Sequence, residues 1–159
     1  MFLGVDHVGV AVPDLDAAVR WYRDMLGFRV VHEESNDEQG VREAMLSVGA
    51  GGGAEIQLLA PLTSDSVIAR FLVRAGAGVQ HVAYAVDDLD AECARLRAGG
   101  VQVLWERARR GTRGSRINFV HPADAGGVLV ELVQQARHEP ATGPASTGSD
   151  GADRGRIEL

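Results

Sequence analysis

The sequence predicts an α+β fold in which two tandem βαβββ modules share one sheet around a single metal site. Two observations carry this prediction. The stretch at 5–17 recurs 74 residues later at 79–91, keeping Val, His, Val, Ala, Val, Asp, Leu, Asp and Ala in register. At the same offset and without a gap, Gly52-Gly53-Ala54-Glu55-Ile56-Gln57-Leu58 falls on Gly126-Gly127-Val128-Leu129-Val130-Glu131-Leu132. His7 thus matches His81, and Gln57 matches Glu131. Each copy carries one imidazole and one oxygen donor on predicted strands, and pseudo-twofold pairing of the copies would gather all four.

The elements follow in order. Residues 5–12 alternate as a strand, with Val8, Val10 and Val12 on one face and His7, Gly9 and Ala11 on the other. Pro13 and Asp14 close it and start a helix whose apolar positions are Leu15, Val19, Tyr22 and Leu26, stopped by Gly27. In the second copy Leu89, Cys93 and Leu96 take the same stripe, and Gly99-Gly100 is the stop. Both helices are expected to cover the valine face. Further strands are predicted at 29–33, 41–48 and 55–59, and at 102–106, 116–120 and 128–133, with a hairpin connection at 49–53. The duplicated domain is expected to span 1–135, with module one at 3–60, a connector at 61–78 and module two at 79–135. The connector holds a helix at 66–74 with Val67, Ile68, Phe71 and Leu72 on its apolar side. From 136 to 159 the chain is poor in large apolar residues and is expected to be a disordered tail.

At 159 residues and 45% hydrophobic, the chain can bury a full core. No apolar run approaches the roughly 20 residues of a spanning helix, and no signal-type segment opens the chain. A cytoplasmic protein without a membrane partner is expected. A single cysteine, Cys93, excludes intrachain disulfides and thiolate clusters, so any metal must be held by nitrogen and oxygen. The net charge of −6 argues against nucleic acid. Arg107, Arg109, Arg110, Arg113 and Arg116 form a local basic loop, either a seat for a phosphorylated ligand or a solvated surface. His121, beside Pro122, is expected to shape a turn, and His32 and Cys93 to be structural.

A lone histidine on a strand is usually not a ligand. Here two histidines and two oxygen donors recur in equivalent positions among Val, Ile and Leu, and buried polar groups of that kind need a partner. His7, Gln57, His81 and Glu131 are therefore the candidate metal ligands. Their mixed donor set suits cobalt, manganese, nickel, iron or zinc. Glu43 is the remaining conspicuous residue. Its register partner is Ile117, so the repeat does not account for it, and on the residues alone it could be either functional or simply exposed.

The paired modules and the His, Gln, His, Glu set resemble the vicinal oxygen chelate superfamily, which implies that the two modules form a cupped, barrel-like mixed sheet around one metal site. Within it, 6–12, 38–41, 80–82, His121-Pro122 and 126–132 are similar to methylmalonyl-CoA epimerases over roughly 3–134. The stretches at 38–43 and 116–122 are the more specific. The resemblance implies one divalent cation, with cobalt first and manganese, nickel, zinc or iron as alternatives. It also implies a homodimer, an acyl-CoA substrate, and Glu43 and Glu131 as the catalytic pair. The expected reaction interconverts (R)- and (S)-methylmalonyl-CoA by removing the α-proton on one face and returning one to the other through a metal-stabilised enolate. Gln39, Ser115 and Asn118 are candidate substrate contacts, and the arginine loop is a candidate for the coenzyme A phosphates. Alternative readings are a glyoxalase-type lyase, a ring-cleaving dioxygenase and a non-enzymatic small-molecule-binding protein.

Overall fold

The structure is a computed structural model describing residues 1–49 and 51–136. The expected tail lies, from 137 onward, outside the described residues. The element order is β1 (Phe2–Ala11), α1 (Leu15–Leu26), β2 (Arg29–Asn36), β3 (Val41–Ser47), β4 (Glu55–Pro61), α2 (Val67–Ala75), β5 (Gly78–Val86), α3 (Leu89–Ala98), β6 (Arg109–Arg110), β7 (Arg116–Val120) and β8 (Val130–Gln134). All strands among the described residues join one eight-stranded sheet in the order β2-β3-β4-β1-β5-β8-β7-β6. Each half of that order repeats the other in reverse. β1 runs parallel to β4 and β5 parallel to β8, while β1 and β5 meet antiparallel at the centre. The pseudo-twofold axis expected from the repeat therefore passes between the two strands that carry the histidines.

The repeated Asp-Leu-Asp-Ala segments start the two outer helices in the same way. Asp14 accepts from the Ala17 amide at 2.9 Å, and Asp88 accepts from the Ala91 amide at 3.0 Å. Each bond satisfies a first-turn N–H that has no partner within its helix. Gly27 ends α1 in the left-handed conformation, with φ of 70°. Helix α1 packs Leu15, Val19 and Tyr22 against Val10, Val12, Leu46 and Leu58. Helix α3 packs Leu89, Cys93 and Leu96 against Val86, Val120 and Leu132. Both thus cover the valine face as expected, except that Leu26, in the last turn of α1, is exposed. Full burial of a side chain such as Leu46, Leu58, Leu89 or Leu132 contributes roughly 1.5–3 kcal/mol. Helix α2 lies on the other face, where Ile68, Phe71 and Leu72 meet Ala11, Val41 and Leu59. It closes one end of the cup, on the face that carries His7 and Gly9.

One expected strand differs. Residues 102–106 do not form a continuous ladder; they make only a bridge at Val103↔Val120, and the regular pairing with β7 comes later, at Arg109↔Ile117 and Arg110↔Arg116. Asn118 is the physical reason. Its side chain accepts from the Trp105 amide at 3.1 Å and donates to the Trp105 carbonyl at 2.9 Å, replacing backbone pairing at that point. The chain between Trp105 and Arg109 bows away, and a 3₁₀ turn at Thr112–Gly114 follows β6. The pairs Leu104 to Phe119 and His121 to Gln102 hold the remainder. His121 shapes a turn as expected, its Nδ1 accepting from the Ala123 amide.

Candidate metal centre and its cavity

Strand register brings the site together in two rows. Gln57 pairs with Gly9, and Gly9 with His81; Glu131 pairs with Ala83, and Ala83 with His7. Each row thus places an oxygen donor and an imidazole on either side of a very small residue. That leaves space between them on the concave face. All four polar side chains are buried, with 3–5% of their surface exposed.

His7, His81 and Glu131 converge tightly. His7 Nε2 lies 3.1 Å from His81 Nε2 and 3.1 Å from Glu131 Oε2, and His81 Nε2 lies 3.0 Å from the same oxygen. The outer nitrogens are spoken for: His7 Nδ1 donates to Asp6 Oδ1 at 2.7 Å and His81 Nδ1 to Gln80 Oε1 at 2.5 Å. Asp6 is itself held by Gln135. With the Nδ1 protons used, both Nε2 atoms and a carboxylate oxygen face one another, an arrangement that needs either a cation or an added imidazole proton among them. Ligand atoms about 2.1 Å from a common centre and at right angles to one another stand about 3.0 Å apart. The residues therefore fit a divalent ion, with Asp6 and Gln80 orienting the imidazoles from behind.

Gln57 carries the fourth candidate donor atom. Its Nε2 donates to Glu43 Oε2 at 3.0 Å and to Thr112 Oγ1 at 2.8 Å, while its Oε1 is buried without a hydrogen-bond partner. An orphaned buried amide oxygen, on a residue that lines the same cavity as His81 and Glu131, is the kind of atom a cation satisfies.

The electrostatics separate the two glutamates. Burial works against charge on Glu131, but the His81 and His7 imidazoles outweigh it and hold its pKa down to about 2. Burial likewise opposes the charged form of His7, yet the hydrogen bonds to Asp6 and Glu131 raise its pKa to about 9. Glu43 goes the other way. Burial pushes it up to about 7, against the pull of a hydrogen bond from Thr112 and with help from the Glu34 and Glu131 charges. It is 3% exposed, which removes the reading of Glu43 as a surface carboxylate. Glu43, Gln57, His81 and Glu131 line one cavity of about 250 Å³, with Trp105, Phe119 and Ile117 as its apolar wall.

The other expected contacts separate. Gln39 lines this cavity and donates to the Arg110 carbonyl at 3.3 Å. Ser115 lines a small adjoining space with His7, Thr112 and Glu131. Asn118 lies outside the cavity lining, with its amide bonded to Trp105 and Phe119. Of the loop arginines, Arg113 pairs with Glu55 and Arg116 with Asp90, and Arg110 stands 3.7 Å from Glu34. Arg109 stacks on Trp105 at the cavity, 4.4 Å from the ring centroid. Among the described residues Arg107 and Arg109 form no ion pair. Asp6, Gln80 and Thr112 are site residues to which the sequence assigns no role. For the first two there is a signal, a hydrogen-bonding residue immediately before each repeated histidine. Thr112 has none, since its register partner is the unrelated Glu38.

A concave sheet built from two βαβββ halves around a His, His, Glu centre defines a class of protein. Residues 6–119 match the Glyoxalase/Bleomycin resistance protein/Dioxygenase superfamily, and the chain belongs to that family. Within it the similarity runs to methylmalonyl-CoA epimerases. The crystal structure of that enzyme from Mycobacterium tuberculosis is 60% identical with a TM-score of 0.81, the match covering 84% of this chain and 89% of that one. A variant of the Streptomyces coelicolor enzyme in complex with 2-nitronate-propionyl-CoA is 47% identical with a TM-score of 0.81, covering 86% and 100%. The mitochondrial methylmalonyl-CoA epimerase of Bos taurus is 40% identical over 131 residues, 82% of this chain and 73% of the relative. No helix among the described residues is long and apolar enough to cross a membrane.

Proposed function

We propose that this chain is a metal-dependent epimerase that interconverts (R)- and (S)-methylmalonyl-CoA. The observation that carries the reading is Glu43, a buried carboxylate with a raised pKa that lines the same cavity as Gln57, His81 and Glu131. The relatives named above supply the substrate class. A ring-cleaving dioxygenase would leave Glu43 without a task.

A hydrogen between a thioester and a carboxylate is far too weak an acid for an ordinary glutamate of pKa about 4.3. A divalent cation held by His7, Gln57, His81 and Glu131, with cobalt as the expected ion, supplies Lewis acidity to a substrate oxygen when bound. The protein's own contribution is in the two carboxylates. Glu43, lifted toward neutrality, accepts the α-proton on one face more readily than a solvated carboxylate would. Glu131 is the partner on the other face; its low pKa makes it the weaker base, and its second oxygen is the atom left for proton transfer. The apolar wall of Trp105, Phe119 and Ile117 limits water around the reacting carbon. We assign the malonyl end to Gln39 and Ser115, and the coenzyme A phosphates to Arg107 and Arg109. Asn118 is instead assigned to holding the chain at Trp105. A cytoplasmic homodimer completes the proposal.

Glu43→Gln is expected to retain its metal and lose most turnover, whereas His7→Ala loses metal, as read by elemental analysis and a coupled epimerisation assay. Near-normal turnover by Glu43→Gln would remove Glu43 from the mechanism.

A further inference from the structure

We infer that Thr112 is a positioning residue for Glu43, so that the base on one half of the sheet is set by a loop of the other half; this rests on the epimerase reading above. Thr112 Oγ1 lies 2.7 Å from Glu43 Oε1 and 2.8 Å from Gln57 Nε2. The directions are fixed by proton count. The amide nitrogen can only donate, so the hydroxyl accepts from Gln57 and gives its single proton to Glu43. Gln57 Nε2 also donates to Glu43 Oε2 at 3.0 Å, and both carboxylate oxygens are thereby held. The same arrangement uses both amide protons of Gln57 and leaves its Oε1 free to act as a donor atom. One hydroxyl thus orients the base and, through Gln57, the fourth candidate ligand.

The turn that carries Thr112 is anchored to the opposite half. Arg113 adopts the left-handed region with φ of 57° and ψ of 25°, a conformation that persists in a non-glycine residue only where surrounding contacts hold it. Its amide donates to Glu34 Oε2 at 3.0 Å, and its guanidinium reaches Glu55 at 2.9 and 3.4 Å. Glu34 is the cross-strand neighbour of Glu43. At the start of the turn, a β-carbon on Gly111 would come within 2.6 Å of Ile117 Cγ2, so the loop is packed against β7 as well. The hydroxyl is therefore delivered to Glu43 by a fixed loop, which is what positioning requires.

The test compares metal-loaded Thr112→Val, which keeps the shape and removes the hydroxyl, with Thr112→Ser, which keeps the hydroxyl. Thr112→Val is expected to lose kcat by about tenfold to a hundredfold, the size of effect that follows from misplacing a reacting group by about an ångström. KM should stay within about twofold, and Thr112→Ser should recover most of the loss. In deuterium oxide, the slowed α-hydrogen exchange should be confined to the same epimer that Glu43→Gln slows. A crystal structure of Thr112→Val should show the Glu43 carboxylate moved or split between conformers. An unmoved Glu43 with wild-type kcat would overturn the inference, as would equal slowing of both epimers without rescue by serine. If the wild-type protein did not epimerise at all, the functional reading would fail by itself, and the position of the Glu43 carboxylate in Thr112→Val would still decide the role of Thr112.

Discussion

A β-carbon on Gly9 would lie 2.1 Å from Cε1 and 2.6 Å from Nε2 of His81, so the imidazole occupies the space a side chain at position 9 would fill. The equivalent position in the other half is Ala83, opposite His7, where a methyl group is accommodated. Gly9→Ala is therefore expected to rotate His81 out of the centre and to weaken metal binding by at least about tenfold, as read by titration calorimetry. Unchanged affinity would mean that the ring has room to shift without leaving the site. Glu43 makes a second residue-scale prediction. Its pKa is raised on folding from an ordinary value of 4.5 to about 7. A raised carboxylate stabilises the fold fully below its unfolded pKa, and that contribution is lost as pH rises through the folded value. In chelator-treated protein, Glu43→Gln stays neutral throughout. Its melting temperature should gain on wild type between about pH 5 and pH 7 and level off above about pH 8; a margin flat across that range would contradict the burial of a titrating Glu43. The four candidate ligands are legible in the sequence because duplication repeats them in register. Thr112 is not, because a loop hydroxyl has neither periodicity nor a counterpart in the other copy.

At the level of elements, the caps and stripes of α1 and α3 can be read directly, since Asp14 and Asp88 and the glycine stops act through local backbone chemistry. The stretch at 102–106 cannot. Its alternation resembles a strand, yet a buried amide on β7 takes over the pairing, and no local pattern announces a side chain from thirteen residues away. The same residue is a candidate substrate contact in sequence, alongside Gln39 and Ser115. Asn118 is 1% exposed and makes three hydrogen bonds to backbone groups. Asn118→Ala would leave those groups buried and unpaired, at a cost of about 1–3 kcal/mol for each group left unsatisfied. A lower melting temperature with KM for substrate unchanged is expected. A raised KM at undiminished stability would return Asn118 to the substrate.

Across the whole molecule, the pseudo-twofold symmetry is kept where the cation would be held and broken where the proposed chemistry differs between faces. The two histidines are equivalent in fold and similarly oriented from behind. The oxygen donors are not equivalent, an amide in one half and a carboxylate in the other. Glu43 is answered in the second half by Ile117, and Thr112 crosses over from the second half to reach it. Symmetry alone therefore places the candidate metal site, and the departures from symmetry give it one lifted carboxylate and one held ionised. The most direct measurement is proton NMR of methylmalonyl-CoA in deuterium oxide with metal-loaded protein, coupled to a stereospecific mutase that reports the other epimer. The account predicts loss of the α-hydrogen signal together with formation of the second epimer, both abolished by chelation. Full retention of the α-hydrogen by protein with its metal bound would contradict it.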